Sequence, residues 1–136
     1  MEAIETKITL EETYDHSIER IWKAISDEKE IVKWFIQADF KPVVGYAYTF
    51  THEQTVITGE VLVANPPSEL TYTWCLAGGE TTVRWTLEEV DGRTRVRIEH
   101  WGIESYADSA AQMFGAFKQG WVSCLGELST YLGKDA

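Results

Sequence analysis

With 136 residues, 44% of them hydrophobic and 25% charged, the chain has the size and make-up of one globular domain, taken as residues 1–136, and disordered, collagen-like and low-complexity classes are excluded. A net charge of −10 repels a phosphate backbone and an anionic bilayer alike, so neither nucleic-acid binding nor membrane association is expected. Met1-Glu2-Ala3-Ile4-Glu5 lacks the basic and apolar parts of a secretory leader, and no apolar run approaches transmembrane length. A reducing, cytoplasmic setting follows, with Cys75 and Cys124 expected as two buried thiols.

In chain order, Ile4 to Tyr14 alternates apolar and polar residues and predicts a half-buried strand. Ser17 or Asp15 can cap a helix carrying Ile18, Ile21, Trp22 and Ile25 on one face. Asp27 with Glu30 three residues later resembles a capping box and predicts a second short helix with Ile31, Trp34 and Phe35. Pro42 and Gly45 then break the chain. Tyr46, Tyr48 and Phe50 alternate with small residues up to a turn at His52-Glu53-Gln54. Val56–Ala64 is a further strand, ended by Asn65-Pro66-Pro67.

Leu70, Tyr72, Trp74 and Leu76 alternate next, and Gly78-Gly79 turns the chain into Val83, Trp85 and Leu87. Asp91-Gly92 is a strong hairpin signal leading into Val96, Ile98 and His100. Gly102 ends the sheet, and Ser109 with Gln112 opens a long helix, with Ser105 an earlier alternative start. In that helix Phe114, Phe117, Trp121, Leu125, Leu128 and Leu132 recur at spacings of three and four and form one stripe. The expected architecture is α+β: a curved antiparallel sheet of about six to seven strands around a long C-terminal helix, with two short helices after the first strand.

Six Trp, six Tyr and five Phe exceed what a core of this size requires. The inward strand faces supply Tyr48, Phe50, Tyr72, Trp74, Trp85 and His100. The helices add Trp34, Phe114, Phe117 and Trp121. Each alone reads as core filling; together they read as walls of a cavity for a small hydrophobic, aromatic or lipid-like molecule, because many rings pack without gaps only with difficulty. Buried Tyr hydroxyls and Trp N–H groups also need partners.

No CxxC, HxH or HExxH spacing is present, and His16 and His52 fall in turns away from His100, so neither metal nor other cofactor is expected. No GxSxG motif occurs, and His100 and Glu60 are the sole leads for acid–base work. Glu60 and Glu99 are otherwise expected to pair across strands with Arg84 or Arg97. Three glycines in the long helix, Gly115, Gly120 and Gly126, leave two readings open, a loosened gate or close packing against the sheet or a second protomer.

The ordered motifs Ile21-Trp22-Lys23-Ala24-Ile25, Trp34-Phe35, Val44-Gly45, Gly59-Glu60-Val61-Leu62, Asn65-Pro66-Pro67 to Trp74, Gly92-Arg93-Thr94-Arg95-Val96 to His100, and Gly120-Trp121 to Leu125 span almost the whole chain. In this order the chain resembles the SRPBCC superfamily, whose START-like domains have the helix-grip fold. It is most similar there to the family named for the activator of the ninety-kilodalton heat-shock chaperone's ATPase. His16-Ser17 stands where the family often has Ala-Pro, and Gly45-Tyr46 where it often has two glycines. The resemblance implies a deep cavity between helix and sheet, used across the superfamily for apolar ligands. Eukaryotic activators carry an additional amino-terminal domain that binds the chaperone, with no counterpart in this sequence, so the family name does not itself imply that activity. Three functions follow, in descending rank. They are a binder of a small hydrophobic molecule, a stress-related chaperone contact through the acidic surface, and a cyclase/aromatase- or hydrolase-like enzyme using cavity polar groups. A homodimer is left open.

Overall fold

The computed structural model describes residues 6–133, so Ile4 and Glu5 of the expected first strand lie outside the described residues. Strand β1 (Ile8–Tyr14) is followed by α1 (Ile18–Ser26) and α2 (Glu28–Trp34). Six strands come next: β2 (Gln37–Asp39), β3 (Ala47–His52), β4 (Thr55–Asn65), β5 (Glu69–Leu76), β6 (Gly79–Val90) and β7 (Arg93–Trp101). A 3₁₀ segment, Ile103–Ser109, leads into α3 (Ala110–Gly133). One seven-stranded antiparallel curved sheet has the order β1-β7-β6-β5-β4-β3-β2, so everything after α2 is a meander and only β1 is brought in from afar. The helix-grip architecture read in the sequence is the one observed.

Local chemistry explains the element boundaries. The Ser17 hydroxyl accepts from Arg20 N at 3.2 Å and starts α1, and the Asp27 carboxylate accepts from Lys29 N at 2.9 Å and starts α2. The expected reciprocal bond from Glu30 is not made. Its carboxylate is instead drawn 2.8 Å from Arg20 Nη1 and accepts from the Tyr131 hydroxyl at 2.7 Å, which ties α1, α2 and α3 together. Asp91 and Gly92 both have positive φ, 53° and 80°, as a tight two-residue hairpin requires. The preceding turn is Ala77-Gly78 rather than Gly78-Gly79, since Gly79 already pairs with Leu76 in the ladder. Strand β2 carried no readable alternation; its three residues exist because β3 offers an edge, Gln37 opposite Thr51 and Asp39 opposite Thr49.

Register sorts the charges onto the outer face. Glu99 lies directly opposite Arg84 and accepts from its Nε at 3.0 Å, while Arg97 lies opposite Glu11 and donates to it at 2.7 Å. Glu60 lies opposite Ala47 and is exposed. Gly59 is required by a close approach: a Cβ there would stand 2.1 Å from the Thr73 carbonyl oxygen and 2.7 Å from the Tyr48 ring.

The inner face and α3 share one core. Phe117, Trp121, Leu125, Leu128 and Leu132 of the expected stripe are buried, while Phe114 is half-buried at its start. The Tyr14 hydroxyl donates to the Leu125 carbonyl at 2.9 Å and fastens β1 to the helix. Gly115, Gly120 and Gly126 do not serve close packing on the sheet, because a Cβ at each would meet nothing within 4 Å. Cys124 is buried, but Cys75 is only half-buried, since it alternates away from Trp74 toward the outer face; both thiols are free. Among the described residues, no helix is long and apolar enough to cross a membrane.

Candidate functional site

A pocket of about 230 Å³ opens where α3 crosses the ends of the central strands. Phe35 and Ile36 line it from the link between α2 and β2, and His52, Thr55 and Ile57 from the β3–β4 hairpin. Trp74 contributes from β5, and Ala116, Phe117, Gly120 and Trp121 from the first half of α3. Each wall has a local cause. Phe35 ends α2 with φ −118° and ψ −99°, outside helical space, which turns its ring onto Trp121 at 6.1 Å. Trp74 and Trp121 meet at 5.4 Å. Ala116 and Gly120 are one turn apart on α3, so the helix presents a patch with almost no side chain beside two large rings.

Of the ten residues expected in a cavity wall, Trp74, Phe117 and Trp121 come together at this pocket. Tyr48, Phe50 and Tyr72 pack with Phe40 into a closed ring cluster, with Tyr48 5.5 Å and Tyr72 5.7 Å from Phe40. The Tyr48 hydroxyl donates to the Thr73 carbonyl. Trp85 Nε1 donates to the Tyr72 hydroxyl at 2.9 Å, and Trp34 Nε1 donates at 2.8 Å to the Ala24 carbonyl near the end of α1. Phe114 packs against the core from the start of α3.

His100 lies under Phe117, ring centroids 4.5 Å apart, and is wholly buried. Trp121 Nε1–H donates to its Nδ1 at 2.9 Å, and Thr81 Oγ1 stands 2.7 Å from its Nε2. The Thr81 hydroxyl spends its own proton on the Trp74 carbonyl at 3.1 Å, so it must accept from Nε2–H. The imidazole is thereby fixed as the neutral Nε2–H tautomer. A proton on Nδ1 would face the Trp121 N–H donor to donor, and burial lowers the pKa to about 4. His100 is therefore saturated on both nitrogens, which suits a structural link between β7, β6 and α3 rather than proton transfer. Glu60 points to solvent, away from the pocket.

One polar group is left over. Trp74 is 5% exposed, and its Nε1–H has no hydrogen-bond partner, alone among the buried ring N–H and O–H groups of the described residues. No three His, Cys, Asp or Glu side chains gather as a metal site among the described residues. Sequence reasoning missed Phe35, read as helix, His52, read as turn, Thr55, left between that turn and the next strand, and Ile57 and Ala116. The signal that could have found the pocket was the small pair Ala116 and Gly120 at helical spacing beside Phe117 and Trp121.

Comparisons with known proteins agree with the fold. The family described as Activator of Hsp90 ATPase homolog 1-like protein matches residues 15–133. No curated protein matches the chain. Among solved structures, protein MLL2253 from Mesorhizobium loti is 27% identical with TM-score 0.89, over 96% of this chain and 98% of that one. CalU16 from Micromonospora echinospora is 25% identical with TM-score 0.77, over 92% of this chain and 74% of that one. PFC0360w, an HSP90 activator from Plasmodium falciparum, is 18% identical with TM-score 0.81 over 95% of this chain and 97% of that one, a likeness of fold.

Proposed function

The chain belongs to the activator of Hsp90 ATPase homolog 1-like family, and on that premise we propose that it binds one compact apolar molecule between α3 and the sheet. The pocket walled by Phe35, Ile57, Trp74, Phe117 and Trp121 carries this reading. Its size selects the ligand. An apolar cavity of about 150 Å³ takes benzene, so about 230 Å³ suits a substituted ring or a fused pair. A long acyl chain finds no further room inward, because the rest of the expected cavity is filled by Phe40, Tyr48, Phe50 and Tyr72, and most of its length would stay in solvent. Binding is favoured over catalysis because His52 is the one titratable side chain in the lining, and it is exposed at the rim.

The test is a titration with ethylbenzene and with palmitate, followed by thermal unfolding and tryptophan fluorescence. Ethylbenzene raises the unfolding midpoint, with a stabilisation of about 2.7 kcal/mol at a hundredfold excess over Kd, and perturbs the emission of Trp74 and Trp121. Palmitate does neither. Absence of any shift with one- and two-ring hydrocarbons would overturn the proposal.

A further inference from the structure

We propose that the pocket's ligand is an uncharged aromatic carrying one hydrogen-bond acceptor, a carbonyl or ether oxygen, and that Trp74 Nε1–H binds that oxygen. The inference rests on the pocket being a ligand site and adds the chemical class. Three observations carry it.

The first is the unpaired donor itself. Every other buried ring N–H described above has a partner: Trp34 on the Ala24 carbonyl, Trp85 on the Tyr72 hydroxyl, Trp121 on His100. Trp74 Nε1–H has none, although its residue is 5% exposed and borders the pocket. A buried donor without an acceptor is unfavourable, and a ligand oxygen removes that penalty. Because Nε1 presents almost no surface of its own, bulk water competes poorly for it, and the proposal requires a neighbouring ring to move so that the ligand oxygen can reach it.

The second is charge. The lining holds no Lys or Arg, and the chain carries −10 overall, so a carboxylate or phosphate would enter without a counter-charge. The third is the sign of the donor. The aromatic walls alone would also suit an organic cation, but an N–H repels a cation and attracts a neutral oxygen. The rings of Trp121, Phe50 and His100 stand 5.4 to 6.0 Å from Trp74, and an N–H···π contact with any of them would be a weaker bond than one to an oxygen.

The experiment uses acetophenone and ethylbenzene, which share a shape and differ by the carbonyl, with full-length protein labelled with ¹⁵N. Both ligands shift pocket signals, but only acetophenone moves the Trp74 indole N–H resonance downfield. Trp74→Phe then weakens acetophenone about tenfold more than it weakens ethylbenzene, the difference expected for one buried hydrogen bond. If both ligands bind, the indole resonance responds alike to each and the variant affects both equally, the acceptor assignment is wrong and the pocket reading stands. If neither binds, the pocket reading falls and takes this inference with it. Should Trp74→Phe fail to fold, the wild-type indole spectrum alone decides.

Discussion

Around Phe40, the rings of Tyr48, Phe50 and Tyr72 close on one another with centroids 4.7 to 6.3 Å apart, and the space between them is used up. Nearby, Phe35 and Trp74 stand 6.1 and 5.4 Å from Trp121, and with Phe117 these rings border a pocket of about 230 Å³. Both neighbourhoods are aromatic, so ring content does not create the pocket. The difference lies in what faces the rings. In the filled cluster Phe40 enters from the loop after β2 and stacks on Phe50 at 5.8 Å. At the pocket the opposing surface is Ala116 and Gly120 of α3, which cannot reach across. The expectation that many large rings must leave gaps was thus too general: rings fill well where a ring opposes them, and gaps follow small residues.

The largest test of this contrast is truncation. Phe40→Ala removes a ring packed on all sides and is expected to cost about 3–5 kcal/mol in urea unfolding. Phe117→Ala, whose ring already borders open space, is expected to cost about half as much, because fewer contacts are lost. Equal losses would show that the two regions are packed alike.

A second effect, smaller but of opposite diagnostic value, concerns how dry the pocket floor is. Burial holds His100 at about 4, below its usual value of about 6.5. The unfolded chain therefore binds a proton that the folded chain refuses. The associated stability is fully present above about pH 6.5 and drains away as pH falls toward 4, about 3 kcal/mol in all. Relative to His100→Gln, wild-type protein should lose that much more stability across this window. Parallel curves would mean that water reaches the imidazole and that the floor is open.

The smallest effects separate the helix glycines. Gly115→Ala and Gly126→Ala are expected to raise stability by about 1 kcal/mol each and to leave ethylbenzene affinity unchanged, since a Cβ at either meets nothing. Gly120→Ala should stabilise similarly but weaken ethylbenzene several-fold, because it adds a methyl to the pocket wall. If all three behave alike in binding, Gly120 is not part of the site.

Much of this molecule was legible before folding. The alternation in β3 to β7, the caps at Ser17 and Asp27, the Asp91-Gly92 hairpin and the start of α3 immediately after Ser109 are local signals, and each survives into the structure. What escaped was non-local. Strand β2 is three residues long and needs β3 to exist. The approach to α3 is bent at Ala107, with φ 52°, and no residue type there announces it. Glu30 gave up its expected cap because Arg20 and Tyr131 lie within reach only in the folded chain.

Apart from β2 and the 3₁₀ segment before α3, the sequence by itself determined the elements and their order, because periodicity two and periodicity 3.6 are properties of contiguous residues. Ring contacts such as Phe35 on Trp121 and Phe40 on Tyr72 join positions 86 and 32 residues apart in sequence, and no local pattern encodes them. Tertiary structure alone decided that His100 would be saturated, that Tyr48 and Tyr72 would be sealed, and that Trp74, in the pocket wall, would keep one unpaired N–H. Packing is a property of opposing surfaces, and the opposing surface of each ring came from elsewhere in the chain.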